Sequence, residues 1–121
     1  MIKILYVDDE PDISEVACMA LEIDPEFEVR SCNSGPAGIE IARGWTPDLI
    51  LLDVMMPGMD GLETFGQLKE YPGTREIPVV FITAKVQPGE VGKLLSTGAK
   101  GVLAKPFDPM RLTEEVRTFF R

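Results

Sequence analysis

Four short apolar runs in this chain each end on a residue with a charged or reactive side chain, and this pattern limits the fold more than any other feature. The runs and the residues that follow them are 4–7 with Asp8 and Asp9, 49–52 with Asp53, 79–82 with Thr83, and 101–104 with Lys105. If the runs are parallel strands of one sheet, their carboxyl ends lie along the same edge. Carboxylates, a hydroxyl and an ammonium group would then share one crevice.

Helical patterns separate the apolar runs, so strand and helix alternate along the whole chain. The predicted strands are 2–8, 27–30, 48–54, 77–83 and 100–104. The predicted helices are 11–23, 35–44, a third that begins with a capping box at Asp60 and Glu63 and stops at 71–73, 87–97 with Gly98 as its stop, and a last one with Asp108 as N-cap and Pro109 at its first position. This alternation predicts an α/β fold with a doubly wound parallel sheet, helices on both faces, and one domain over 1–121.

The apolar residues of the first and last helices recur at helical spacing and predict which sides are buried. The expected buried face of the first helix is Ile13, Val16, Ala17, Ala20 and Leu21. The expected buried stripe of the last helix is Leu112, Val116, Phe119 and Phe120.

Composition excludes several classes of function. The formal net charge of −8 argues against sequence-independent binding to nucleic acid or to anionic membranes. The chain has no histidine, which excludes Ser-His-Asp and Cys-His catalysis and zinc sites that need imidazole. No apolar run approaches the ~18 residues of a membrane span.

The amino terminus and the cysteines bear on location. The chain runs from Met1 straight into a strand, so no signal peptide is expected and a cytosolic location is the prediction. Cys18 and Cys32 have neither metal-ligand spacing nor a secretory context, and we expect buried, reduced thiols.

The three aspartates at the predicted crevice raise the question of what neutralises them. Like charges this close raise one another's pKa, so the site favours either protonation or a hard cation such as Mg²⁺, which prefers oxygen ligands. With Mg²⁺ present, an aspartate can act as a nucleophile toward a phosphoryl group and form an aspartyl phosphate. Lys105 would pair with the phosphoryl charge, and Thr83 would donate a hydrogen bond to it.

Four motifs, in this order, carry a resemblance to a known family. They are Val7-Asp8-Asp9-Glu10, the stretch Leu51-Leu52-Asp53-Val54-Met55-Met56-Pro57-Gly58-Met59-Asp60-Gly61, Ile82-Thr83-Ala84-Lys85, and Ala104-Lys105-Pro106-Phe107. Across nearly its whole length the chain resembles the receiver domain of two-component response regulators. The resemblance implies a flavodoxin-like (βα)5 fold with strand order 2-1-3-4-5.

The resemblance also implies a role for each site residue. Asp53 is the implied phosphoacceptor, and the donor is a phosphohistidine on a sensor histidine kinase or a histidine phosphotransfer protein. The implied Mg²⁺ ligands are Asp9, Asp53 and the backbone carbonyl of Met55, with Asp8 acting mainly through a metal-bound water. Thr83 and the Ala84 amide bind the phosphoryl group, Lys105 pairs with it, and Lys105–Pro106 is the family's cis peptide bond.

One position departs from the family pattern. The switch aromatic of the family usually lies three residues before the lysine, and Val102 stands there in this chain. Transmission from Thr83 to the face formed by the fourth helix, fifth strand and fifth helix, where a downstream protein target is expected to bind, is therefore expected to be weaker or to run through the glycine-containing fourth helix.

The resemblance predicts a signalling module that is not an enzyme beyond its own phosphorylation and dephosphorylation, either as a single-domain regulator or as the receiver of a larger protein. Three alternatives stay open. A Mg²⁺-dependent aspartyl-phosphate phosphohydrolase would need a second aspartate where Met55 stands. A flavodoxin-type cofactor carrier would place an anion beside Asp8 and Asp9, and a degenerate receiver would only bind partners.

Overall fold

Strands and helices alternate as predicted in the computed structural model, which describes residues 1–120. The strands are β1 (Ile2–Val7), β2 (Phe27–Cys32), β3 (Leu49–Asp53), β4 (Val79–Thr83) and β5 (Gly101–Ala104). The helices are α1 (Pro11–Leu21), α2 (Gly35–Trp45), α3 (Gly61–Glu70), α4 (Pro88–Leu95) and α5 (Leu112–Arg117), and a 3₁₀ turn covers Thr118–Phe120.

All strand pairs are parallel, and the sheet order is β2-β1-β3-β4-β5, which confirms the predicted doubly wound fold. Strand order reverses at β1, whose neighbours are β2 and β3. The register pairs Val7 with Leu52 and Asp53 with Ile82, so the carboxyl ends of the central strands lie level with one another. Ligands of such folds bind at this edge, beside the switch in strand order.

The sheet is covered on both faces, which explains why its central strands are continuously apolar. On one face, α1 and α5 bury residues such as Leu21 and Leu112 against the sheet. On the other face, α2, α3 and α4 bury residues such as Phe65 and Leu94. Full burial of one such side chain contributes about 2 kcal/mol relative to exposure.

The predicted buried face of α1 is wrong at two positions. Ala17, Ala20 and Leu21 are buried, but Val16 is 43 % exposed and Ile13 is only half-buried. The reason is that only a narrow strip of the α1 surface packs against the sheet. Ile13 and Val16 instead line an apolar groove with the segment that follows β5.

The start of α5 also differs from the prediction. The helix begins at Leu112, and Pro109 lies in a turn before it. The Asp108 carboxylate accepts a hydrogen bond from the Met110 N–H at 2.9 Å, so it stabilises that turn and does not cap the helix. The α-helix ends at Arg117, and Phe120 lies in the 3₁₀ turn that follows. Phe120 is 38 % exposed, contrary to the predicted buried stripe.

Other local signals were correct. Asp60 and Glu63 form the reciprocal capping box that opens α3. Gly98, in the turn after α4, has φ +103°, a conformation that favours glycine.

Cys18 and Cys32 are free but only half-buried, so the prediction of buried thiols was wrong in degree. Burial raises the pKa of both thiols.

The tryptophan lies at the opposite edge of the sheet from the candidate site. Trp45 ends α2, its backbone carbonyl accepts a hydrogen bond from the Lys3 ammonium at the start of β1, and two cations lie near its ring. The Arg30 guanidinium is 4.4 Å and the Lys3 ammonium 5.7 Å from the ring centre.

Among the described residues, no helix is long and apolar enough to cross a membrane.

Candidate functional site

Asp53 is fixed at the centre of the candidate site. It is the last residue of β3 and is 2 % exposed. The Met55 N–H donates to its Oδ1 at 3.3 Å. Gly61 lies against the Asp53 backbone so closely that a Cβ there would collide with the Asp53 carbonyl oxygen. The loop between β3 and α3 is thereby held tightly against the end of the strand.

Asp8 follows β1 and is fully buried, with its carboxylate held from both sides. The Tyr6 hydroxyl donates to Oδ2 at 3.1 Å, and the Glu10 N–H donates to Oδ1 at 3.0 Å. The Ser14 hydroxyl donates to the Asp8 backbone carbonyl at 3.4 Å. These contacts set the orientation of the carboxylate before any ligand binds.

Lys105 joins the carboxylates of the neighbouring strands. Its Nζ lies 3.2 Å from Asp8 Oδ2, 3.3 Å from Asp53 Oδ2 and 2.9 Å from Glu10 Oε1. Its backbone N–H donates to the Thr83 carbonyl at 2.9 Å, which ties the end of β5 to the end of β4. The Lys105–Pro106 peptide bond is cis, as the resemblance implied.

Charge and burial set the protonation of the site. Burial, with the charge of Asp8, raises the pKa of Asp53 to about 6, although Lys105 opposes the shift. Burial alone would lower the pKa of Lys105, but hydrogen bonds to Glu10 and Asp8 and the charges of the two aspartates raise it above its usual value. The site therefore combines a permanently charged ammonium with a carboxyl group that is mostly ionised at neutral pH.

Thr83 reaches the same edge of the sheet but does not contact the carboxylates. It is the last residue of β4 and is buried, and its Oγ1 accepts a hydrogen bond from the Lys85 N–H at 3.0 Å. Ala84, which follows it, is exposed. Asp8, Asp53 and Lys105 are thus in direct contact, whereas the Thr83 hydroxyl is engaged in the turn after its own strand.

The donor set suits a hard divalent cation. Carboxylate oxygens of Asp8, Asp9 and Glu10 lie within 4.8 Å of one another. Asp8 and Asp53 both contact the Lys105 ammonium, so a cation already lies between them. The Met55 thioether is a soft ligand that hard cations do not favour, which leaves only its backbone carbonyl as a candidate ligand at that position. Oxygen ligands of this kind are those that Mg²⁺ prefers.

Two residues of this cluster were not predicted from the sequence. Tyr6 interrupts an aliphatic run two residues before Asp8, and the two-residue period of a strand places both side chains on the same face. That spacing was the available signal for the Tyr6 hydrogen bond. Burial and the Asp8 charge raise the pKa of Tyr6, which keeps it a proton donor. Glu10 lies 95 residues from Lys105 along the chain, and no local pattern indicates their pairing.

A parallel sheet of this order, with a lysine and several carboxylates at its carboxyl edge, defines a flavodoxin-like domain with an acidic pocket whose carboxylates could bind a metal ion. The family model for the response regulator receiver domain matches residues 4–117 of the chain. The chain belongs to this family, which serves two-component signalling and whose members interact with histidine kinases and typically use Mg²⁺.

Similar proteins contain a matching segment within longer chains. The response regulator PleD of Caulobacter vibrioides is 42 % identical over 120 residues, covering 98 % of this chain and 26 % of PleD. The phosphate regulon transcriptional regulatory protein PhoB of Escherichia coli is 37 % identical over 119 residues, covering 98 % of this chain and 52 % of PhoB. The chain thus spans about a quarter to a half of the length of these relatives.

Solved structures of similar size have the same fold. The chemotaxis protein CheY4 of Vibrio cholerae superposes with a TM-score of 0.89 at 28 % identity, covering 98 % of both chains. A response regulator from Desulfuromonas acetoxidans also gives 0.89, at 26 % identity, covering 99 % of this chain and 97 % of that one.

Proposed function

We propose that the chain is a phosphorelay receiver in which Asp53 accepts a phosphoryl group from a phosphohistidine on a sensor histidine kinase or a histidine phosphotransfer protein. The observation that carries this proposal is the contact of the Lys105 ammonium with both Asp8 and Asp53 at the carboxyl edge of the sheet. A buried carboxylate with a cation beside it suits a nucleophile whose product carries added negative charge.

The proposed transfer is an in-line displacement. An Asp53 carboxylate oxygen forms a bond to phosphorus while the phosphorus–nitrogen bond of the donor breaks, and the imidazole nitrogen keeps the electron pair. Asp53 must be ionised to attack, and its pKa of about 6 leaves it mostly so at pH 7. Lys105 is close enough to neutralise charge on the phosphoryl oxygens with a small displacement.

The proposed Mg²⁺ ligands are Asp9, Asp53 and the Met55 backbone carbonyl, with Asp8 acting through a metal-bound water. The ion supplies charge neutralisation for the phosphoryl oxygens when bound. The hydrogen bonds to Asp8 from Tyr6 and from the Glu10 amide support this assignment because they hold a metal-facing carboxylate in one orientation.

After transfer, we propose that Thr83 and the Ala84 amide bind the phosphoryl group. Thr83 would exchange its bond with the Lys85 amide for one to a phosphoryl oxygen. The turn at the end of β4 would then move, and the face formed by α4, β5 and α5 would present a changed surface to a downstream protein. In this proposal the chain acts on no external substrate and catalyses only its own phosphorylation and dephosphorylation.

We propose that residues 1–121 form one receiver domain and that this domain is located in the cytoplasm. The free thiols of Cys18 and Cys32 fit a reducing compartment. The proposed partners are proteins, and the net charge of −8 disfavours direct contact with nucleic acid or an anionic membrane.

The test is to incubate the protein with Mg²⁺ and a small acyl-phosphate donor and to measure its intact mass. We expect a gain of one phosphoryl group in the wild type and none in Asp53→Asn. Asp48→Asn is the matched control, because Asp48 is an exposed aspartate just before the opposite end of β3 and should leave the gain unchanged. An equal gain in Asp53→Asn would overturn the assignment of the phosphoacceptor.

A further inference from the structure

The Lys105 ammonium has three carboxylate partners, and they differ in exposure. Glu10 makes the shortest contact, at 2.9 Å, and its side chain is 56 % exposed. The side chains of Asp8 and Asp53 are 0 % and 3 % exposed. Glu10 is therefore the partner at the rim of the pocket, and the two aspartates are the partners inside it.

The ammonium is therefore shared between one carboxylate at the rim of the pocket and two carboxylates inside it. The Glu10 carboxylate pulls it outward, while Asp8 and Asp53 pull it toward the position that a phosphoryl group or a divalent cation needs. A half-exposed ion pair is weak and exchanges readily because water competes for both charges. Glu10 can therefore release Lys105 without a large barrier.

We propose that Glu10 is the resting partner of Lys105 at the rim of the pocket, a positioning residue that shares the ammonium with the two aspartates and gives it up when a phosphoryl group arrives on Asp53. By drawing the ammonium outward, Glu10 also weakens the competition between Lys105 and Mg²⁺ for the aspartates. The release to a phosphoryl group and the effect on Mg²⁺ both rest on the proposed function, whereas the pairing itself needs neither metal nor phosphate.

The pairing is tested first in the presence of a chelator. The probe is the ¹⁵N-edited NMR signal of the Lys105 ammonium, assigned by its loss in Lys105→Met. We expect Glu10→Gln to shift this signal. Asp12→Asn removes the same charge from an exposed position two residues further along and should leave the signal in place. An unmoved signal in Glu10→Gln would overturn the proposal.

The effect on Mg²⁺ is tested by titration calorimetry without a phosphodonor, in a double-mutant cycle. In the wild-type background, which keeps Lys105, we expect Glu10→Gln to weaken Mg²⁺ binding about fivefold, because the aspartates alone then hold the ammonium. In the Lys105→Met background the same change should have only the small effect of Asp12→Asn, since no ammonium is left to release.

Equal weakening in both backgrounds would contradict the proposal, because it is the result expected if Glu10 binds the metal itself. Equal effects of Glu10→Gln and Asp12→Asn in the Lys105 background would contradict it as well, since charge alone would then explain them. If the wild type takes up no Mg²⁺, the proposed function fails, and the chelated NMR experiment still decides the resting partner of Lys105.

Discussion

The central strands of the sheet and the helix α4 differ in how tightly they are packed. Around the site, β1, β3 and β4 are buried along almost their whole length, and the end of β3 is pinned by the close approach of α3. By contrast, α4 buries only Leu94, and its glycines at 89 and 92 face open space. Stability is concentrated where the chemistry is placed, and the region proposed to respond to it is the least packed.

The largest test of this contrast compares two leucines. Leu51 is fully buried in β3, so Leu51→Ala should lower the free energy of unfolding by about 3 kcal/mol. Leu95 on α4 is 44 % exposed, and Leu95→Ala should cost less than about 0.5 kcal/mol. Urea denaturation measures both, and similar costs would show that the central strands and α4 do not differ in packing.

A pair of glycines tests the same contrast at the backbone. Gly61→Ala places a methyl group against the Asp53 carbonyl and should destabilise the fold by about 2 kcal/mol and reduce phosphorylation. Gly92→Ala meets no atom within 4 Å and should stabilise α4 by about 0.5 kcal/mol. Thermal unfolding provides the measurement. A neutral Gly61→Ala would mean that the loop before α3 is free to move away from β3.

The pH dependence of stability sharpens the account of the site. The folded protein raises the pKa of Asp53 from 3.8 to about 6, so its carboxyl favours the folded state only while it is protonated, and this stability is lost as pH rises through 6. Asp53→Asn should therefore be roughly 3 kcal/mol more stable than wild type at pH 7.5 in the presence of a chelator. The difference should vanish near pH 4, and a constant difference across this range would contradict the shifted pKa.

The smallest expected effect concerns transmission. Val102 pairs with Phe81 on β4 and is half-buried beside the core that includes Leu94. If the signal runs through the loosely packed α4, phosphorylation should change hydrogen exchange over 85–102, and Gly92→Ala should reduce that change by about twofold or less. Unchanged exchange in this segment on phosphorylation would remove α4 from the route.

Much of this molecule could be predicted from its sequence because the signals were local. The capping box at Asp60 and Glu63 and the strands ending on Asp53 and Thr83 needed only a short window of residues. The start of α5 was missed because Asp108 can stabilise a turn as well as a helix. Val16 was misplaced because helical spacing gives a face and not how much of it the sheet covers.

The candidate site divides in the same way. Parallel strands brought Asp8, Asp53 and Lys105 to one edge, which the pattern of apolar runs predicted. The contacts of Tyr6 and Glu10 depend on side-chain direction and on a partner almost the whole chain away, which no short window contains. The assigned roles of Asp9, Met55, Thr83 and Ala84 stay predictions until phosphorylation is measured.

Trp45, with two cations near its ring, gives the protein a convenient optical property. It is the single tryptophan of the chain and lies at the edge of the sheet remote from Asp53. Its fluorescence should report unfolding while being insensitive to events in the acidic pocket. Emission from this one indole therefore offers a stability readout that can be collected in the same cuvette as a phosphorylation reaction without the two signals interfering.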